Sequence, residues 1–252
     1  MFTHAILRQP GPDFAQGLTT SLLGTPDYGR MLEQHHAYAQ ALTSLGLQIE
    51  MLEPLPDFPD AYFVEDVAVV TKELSVITRP GAEARRGEEF SMIPVLARHR
   101  PLAHITDPGT LDGGDVLIVD RTVLIGLSNR TNAAGASQLG SILSVHGYQT
   151  RTVPVAEGLH FKSSVTWVGG NTLLMSEAFA ERAELADFNR IVVDSDEDYA
   201  SNTLLVNGTI LTPAGFPKTL RKLRGLDVPV VVLDTSEARK MDGGLTCMSL
   251  RF

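Results

Sequence analysis

The chain has 252 residues, 43% hydrophobic and 20% charged, enough to bury a sizeable core in one large domain or two small ones. A formal net charge of −9 excludes nucleic acid as the main partner, because a phosphate-binding surface needs clustered Lys and Arg, but it suits a small cationic ligand. The opening Met1–Phe14 has a short apolar run broken by Arg8 and two prolines, unlike a signal peptide; no stretch nears the roughly 18 apolar residues of a membrane span, and the single cysteine cannot form an internal disulfide, so a cytoplasmic protein is expected.

In chain order, His4–Arg8 reads as a strand, Asp27–Leu45 as a helix and Gln48–Leu52 as a lone strand. A pattern then repeats: a hairpin of β-branched runs, a helical stretch, a lone strand. Val64–Val70 and Ser75–Thr78 flank Thr71-Lys72-Glu73, and are followed by Gly87–His99 and Ala103–Ile105. Asp115–Val119 and Val123–Gly126 flank Asp120-Arg121-Thr122, followed by Asn132–His146, with Ala136, Leu139 and Leu143 at helical spacing, and Tyr148–Val155. Ser164–Val168 and Thr172–Ser176 flank Gly169-Gly170-Asn171, followed by Ala178–Phe188 and Arg190–Val193. Thr203–Val206 and Thr209–Thr212 flank Asn207-Gly208, a strong hairpin signal, followed by Pro217–Leu223 and Pro229–Leu233. Thr246–Arg251 is the last strand.

These are four ββαβ units, and the chain ends supply the halves of a fifth. The expected fold class is therefore α/β: a five-fold pseudosymmetric propeller closed by pairing of the N- and C-terminal strands, with residues 1–252 as a single catalytic domain. A generic α/β sandwich with irregular hairpins is the plainer alternative.

If the first strand of each unit lines the axis, the strand beginnings converge there, and they carry Glu65-Asp66, Asp112, His160, Asn202 and Cys247. Each has a duller reading. A lone Cys is often a small buried hydrophobe, His160 could be a satisfied histidine near a strand end, and Asp112-Gly113-Gly114-Asp115 is a reasonable turn. Glu65-Asp66 inside the apolar run Phe63–Val70 is harder to dismiss, since adjacent carboxylates in a half-buried strand are costly unless something cationic meets them. Cys, His and an orienting carboxylate together form the general arrangement of an activated thiol. Its thiolate character would come from an imidazolium or a cationic substrate. Zinc is the competing use, but one Cys and one nearby His without CxxC or HxxxH spacing do not suit a structural site, and no metal or organic cofactor is expected.

At these residues the sequence resembles the dimethylarginine dimethylaminohydrolases, relatives of arginine deiminase. The matches run nearly end to end: Gly17-Leu18-Thr19, Pro59–Asp66, Thr78–Glu83, Arg85–Glu88, Leu111–Val116, Arg130-Thr131-Asn132, Gly158–Ser163 and Asp242–Cys247. The resemblance implies the five-fold α/β-propeller. It makes Cys247 the nucleophile, His160 the general acid and base, and Asp112 the group that orients His160; some bacterial relatives carry Glu at the Asp112 position. It further implies that Glu65 and Asp66 hold a guanidinium, Arg85 and Arg130 clamp the α-carboxylate, and Asp60 and the Leu18 carbonyl take the α-amine. The implied reaction is hydrolysis of a methylated arginine to citrulline and an alkylamine through a covalent S-alkylthiouronium.

Three rivals stay open: an arginine deiminase, an amidinotransferase, and a non-catalytic binder of arginine-like ligands that would not need Cys247. Phe63 is a candidate apolar contact for the methyl groups, because alternation along a strand would put it on the face of Glu65, although it could equally be core. The partner is a small molecule, with neither nucleic acid nor membrane; a homodimer is left open.

Overall fold

The computed structural model describes residues 1–155 and 160–252, so Gly158 and Leu159 of the His160 motif lie outside the described residues. The strands are β1 (His4–Arg8), β2 (Gln48–Leu52), β3 (Ala68–Val70), β4 (Ser75–Ile77), β5 (Leu102–His104), β6 (Val116–Val119), β7 (Thr122–Leu127) and β8 (Gln149–Pro154). There follow β9 (Val165–Gly169), β10 (Thr172–Met175), β11 (Asn189–Val192), β12 (Leu204–Val206), β13 (Thr209–Pro213), β14 (Val230–Leu233) and β15 (Leu250–Arg251). They form five three-stranded sheets, each with an inner strand antiparallel to the middle one and an outer strand parallel to it. The fifth sheet joins the chain ends: β1 pairs antiparallel with β15 through Ala5–Arg251 and Ile6–Leu250, and parallel with β2. Neighbouring inner strands touch, β15 with β3, β6 with β9 and β9 with β12.

Local chemistry accounts for the regular parts. Asn207 and Gly208 take φ of +48° and +83°, the left-handed pair that a tight β12–β13 hairpin requires and that Asn-Gly tolerates. Helix α1 (Tyr28–Ser44) starts where the Asp27 side chain accepts the Arg30 N–H, and buries Met31, His35, Tyr38 and Leu42 at helical spacing. Asn132 caps the second unit's helix (Ala133–Ser144) in the same way, through the Gly135 N–H. The core lies between the units: Leu7 and Tyr38 of the closing unit pack with Leu204 and Leu211 of the Asn207-Gly208 unit.

Two expected helices are not continuous. Gly87–His99 forms a 3-10 turn (Glu88–Met92) and a single α turn at Ile93–Leu96, which begins beside Pro94. Ala178–Phe188 forms two 3-10 turns, Glu177–Phe179 and Ala183–Leu185, that bury Phe179 and Leu185, six positions apart and off the 3.6-residue period. Among the described residues no helix is long and apolar enough to cross a membrane.

Candidate active site

Every inner strand starts later than its apolar pattern indicates, because a tight turn precedes it. Val64–Val67, Gly113–Asp115, Phe161–Ser163 and Ser195–Ser201 are 3-10 turns before β3, β6, β9 and β12, and Leu245–Met248 is a turn before β15. Glu65 and Asp66 thus sit on a turn and not on a strand, where the hydrophobic run had placed them. A turn points consecutive side chains in different directions, whereas a strand would have sent them to opposite faces of one sheet.

The turns are stitched together. The Glu65 N–H donates to the Cys247 carbonyl at 3.1 Å, and the Gly114 N–H to Asp66 Oδ1 at 3.0 Å. His160 Nε2 lies 2.9 Å from Asp112 Oδ2, and its Nδ1 3.7 Å from Asp66 Oδ1. Glycine permits this approach: a Cβ on Gly114 would fall 2.6 Å from Asp66 Oδ1 and 2.8 Å from the His160 ring. Asp112, fully buried, also accepts the Gly81 N–H at 2.8 Å.

Arg85 completes this side. Its guanidinium is buried and donates to Asp66 Oδ2 at 2.5 Å, to both Glu88 oxygens, and to the carbonyls of Asp60 and Phe63. Burial disfavours the Asp66 carboxylate, yet His160 and Arg85 hold it below its usual range. Burial pushes the Glu88 carboxyl up to about 7, with Arg85 opposing. Burial also pulls the His160 imidazole down, but Asp66 and the hydrogen-bonded Asp112 outweigh it and raise it to about 9. His160 is therefore an imidazolium at neutral pH.

Cys247 is half-buried beside the cluster that holds Phe63 and Tyr62, and its Sγ accepts the Gly244 N–H at 3.4 Å. Burial, Glu65 and Asp66 push its thiol up to about 12. The resting pair is thus a neutral thiol and a charged imidazole.

One oxygen each from Asp66 and Asp112 and a ring nitrogen of His160 lie within 4.8 Å of one another, close enough to share a metal ion. All four carboxylate oxygens already have donors: the Gly114 N–H and Arg85 on Asp66, the Gly81 N–H and His160 on Asp112. The imidazolium balances the charge that a metal would otherwise be needed to meet.

The remaining sequence candidates divide. Asp60 and Leu18 come together: the Leu18 N–H donates to Asp60 Oδ2 at 2.9 Å, and Leu18 is exposed. Burial raises the Asp60 carboxyl, opposed by Arg85, the Leu18 N–H and Arg130. Arg130 is half-buried on the loop after β7, its N–H on Ser128 Oγ. Phe63 does not share a strand face with Glu65. Its ring packs, tilted, with its centroid 4.0 Å from that of Tyr62 and fills the space where a Gly243 Cβ would sit, so only Gly fits there. Glu65 turns away from Asp66: it meets Lys162 Nζ at 2.6 Å, Arg251 Nη2 at 3.3 Å and Thr246 Oγ1 at 2.8 Å.

Lys162, Arg251, Thr246 and Glu88 were therefore missed as site residues. Thr246 and Lys162 stand in the motifs of Cys247 and His160, and Glu88 is three residues after Arg85, an ion-pair spacing on a turn. Arg251 carried no signal.

A turn-borne thiol, an imidazole and buried carboxylates on five α/β units define the class of site, and the chain is similar in sequence and fold to known proteins. The sequence model of the family described as arginine deiminase matches residues 25–168. N(G),N(G)-dimethylarginine dimethylaminohydrolase from Pseudomonas aeruginosa is 43% identical, with both chains covered completely, and the protein of the same name from Streptomyces coelicolor is 38% identical over 98% of this chain and 96% of its own. A solved structure of the Pseudomonas aeruginosa protein, a Cys-to-Ser mutant complexed with citrulline, superposes with a TM-score of 0.98 at 43% identity over 100% of both chains. The chain belongs to the dimethylarginine dimethylaminohydrolase family, within the wider arginine deiminase family.

Proposed function

We propose that this chain hydrolyses N-omega-methylated arginine to citrulline and an alkylamine, with Cys247 as nucleophile, His160 as acid and base, and Asp112 orienting His160. The observation that carries the reading is the charge arrangement of the site: a thiol raised by burial, Glu65 and Asp66, with Asp66 Oδ1 in turn 3.7 Å from the ring of a His160 raised toward its charged form. Such a site is poised for a cation. A guanidinium next to Asp66 cancels the field that raises the thiol, so the substrate itself promotes thiolate formation, the thiol proton leaving to solvent.

The thiolate forms a C–S bond to the guanidinium carbon. The His160 imidazolium gives its proton to the methylated nitrogen, the C–N bond breaks, and the amine leaves neutral, since an amide anion cannot leave at this pH. A thiouronium on Cys247 remains. Neutral His160 then takes a proton from water, the hydroxide adds to the same carbon, and collapse expels the Cys247 thiolate with the ureido group of citrulline. The proton released from the oxygen ends on the free amine.

The amino-acid end is read by Asp60 and Leu18 at the α-amine and by Arg130 at the α-carboxylate. Arg85 faces carboxylates within the protein, so its contact with the substrate's carboxylate requires the free half of its Nη1 or a shift of the side chain. The expected setting is the cytoplasm, where the sole cysteine stays reduced. The test is a panel of arginine, monomethylarginine and the asymmetric and symmetric dimethylarginines, followed for citrulline and released amine. Preference for the asymmetric forms over arginine is expected to be one of degree, since a missing methyl in an apolar pocket costs only about 1–3 kcal/mol. The symmetric form should be turned over worst, because one methyl displaces a hydrogen bond to a buried carboxylate. Arginine winning the competition would make the chain a deiminase.

A further inference from the structure

The unit that contains the Asn207-Gly208 hairpin supplies no reacting group, yet Asn202 stands at its position in the ring of turns. Asn202 is buried, and both ends of its amide are in use between two other units. Nδ2 donates to the Lys162 carbonyl at 3.0 Å and to Thr246 Oγ1 at 3.1 Å, while Oδ1 accepts the Thr246 N–H at 3.0 Å. Lys162 follows His160 by two residues, and Thr246 immediately precedes Cys247. The chain closes flush on the amide: a Cβ on Gly244 would lie 2.4 Å from Asn202 Cγ. Thr246 Oγ1 passes the link on by donating to Glu65, whose N–H holds the Cys247 carbonyl. One planar side chain therefore bridges the turn of the nucleophile and the turn of the acid–base group.

We infer that Asn202 is a positioning residue that fixes the Cys247 turn against the His160 turn through its amide. The inference rests on the roles proposed above for those two residues. It touches neither the α-amine nor the α-carboxylate contacts, so its loss acts on the chemical step. A misplacement of about 1 Å between reacting groups can cost on the order of a hundredfold in rate.

The experiment measures kcat and KM for monomethylarginine, per folded molecule, with the folded fraction taken from thermal unfolding of each variant. Asn202→Ala is expected to lower kcat by about 10- to 100-fold with KM within about threefold. Gly244→Ala, which pushes on the amide from the other side, is expected to lower kcat similarly. Combined with Asn202→Ala it should add less than it does alone, because the closest contacts, with the amide carbon and oxygen, are gone and only the 2.9 Å approach to Cβ remains, giving a non-additive cycle. If Asn202→Ala does not fold, the same kcat loss in Gly244→Ala, persisting when Asn202→Gly makes room for the new methyl because the amide is gone, carries the test, and recovery of kcat in that double variant overturns the inference. A lowered melting temperature with unchanged kcat per folded molecule, or strictly additive effects, overturns the inference and leaves Asn202 a core hydrogen bond. A wild-type protein that releases no citrulline, or a Cys247→Ser variant that still does, overturns the functional reading beneath it.

Discussion

Glu65 and Asp66 are neighbours on one turn and both are buried, but they look out on different halves of the molecule. Asp66 faces His160 and Arg85. Glu65 faces Lys162 and Arg251, and lines a cavity of about 540 Å³ walled by inner-strand residues such as Val70, Leu117, Trp167 and Leu205. That cavity lies along the inner strands, behind the turns that carry Cys247 and His160. The difference shows that a carboxylate's job is set by which cations reach it and not by its place in the chain. Two cations and a hydroxyl already occupy Glu65, which braces the axis. Asp66 also has two cations, the fixed Arg85 and the His160 imidazolium, but in the proposed reaction His160 gives up its charge, and under that reading Asp66 is the carboxylate left for the substrate's cation.

The comparison can be broken in several ways. The largest effects belong to the thiol side: Cys247→Ser and His160→Ala should each cut citrulline release by about 10⁴-fold or more while the fold survives, as removal of a unit in a covalent mechanism usually does. A serine variant of near-wild-type rate would end the assignment.

Next come the two carboxylates themselves. Asp66→Asn should lower kcat by roughly 10²- to 10³-fold with a modest change in melting temperature. Glu65→Gln should instead cost about 3–5 kcal/mol of stability, through Lys162 and Arg251 left short of a buried partner, with the smaller loss of rate. Kinetics and melting curves with the two patterns exchanged would show that Glu65 is the substrate's partner.

The arginines repeat the contrast at lower amplitude. Arg85→Ala strands Asp66 and Glu88 and should destabilise the fold by about 3–5 kcal/mol. Arg130→Ala should leave the melting temperature within a degree or two and raise KM about tenfold. Agmatine, which lacks the α-carboxylate, should be a poor substrate of the wild type; efficient turnover of it would refute the clamp.

The smallest effect is that of pH. The raised His160 value means that its proton, and the stability drawn from it, is fully present below the ordinary imidazole value and is lost as pH climbs through about 9. In the proposed reaction that proton is given to the leaving amine, so kcat, which reports the complex in which the substrate has already ionised the thiol, should fall about tenfold per unit as His160 loses its proton above roughly pH 9, while kcat/KM, which also counts the thiol proton lost, should rise toward that pH and then level. Alkylation of substrate-free Cys247 by a neutral reagent should do the reverse and still be rising there, since its thiol titrates near 12. A plateau in alkylation below pH 8 would mean a preformed thiolate and would remove the need for the substrate's charge.

Much was legible in the sequence, because it depends on residues close together in the chain. The period of hairpin, helix and lone strand, the Asn-Gly turn, and the caps at Asp27 and Asn132 are local, and they determined five units and their closure through β1 and β15. The motifs around Cys247, His160 and Asp112 likewise indicated which groups meet on the axis, and His160 does face Asp112. What only the tertiary structure decided is the direction of each side chain. A run such as Phe63–Val70 reads as one strand by hydrophobicity, whereas the crowded axis bends its first half into a turn that parts Glu65 from Asp66 and turns Phe63 into the core. Nor could the sequence assign Arg85 to Asp66, or Arg251 to Glu65, since those pairings join residues 19 and 186 positions apart with equal ease. Charge pairing depends on distance and desolvation in the folded state, and neither is written in the order of residues.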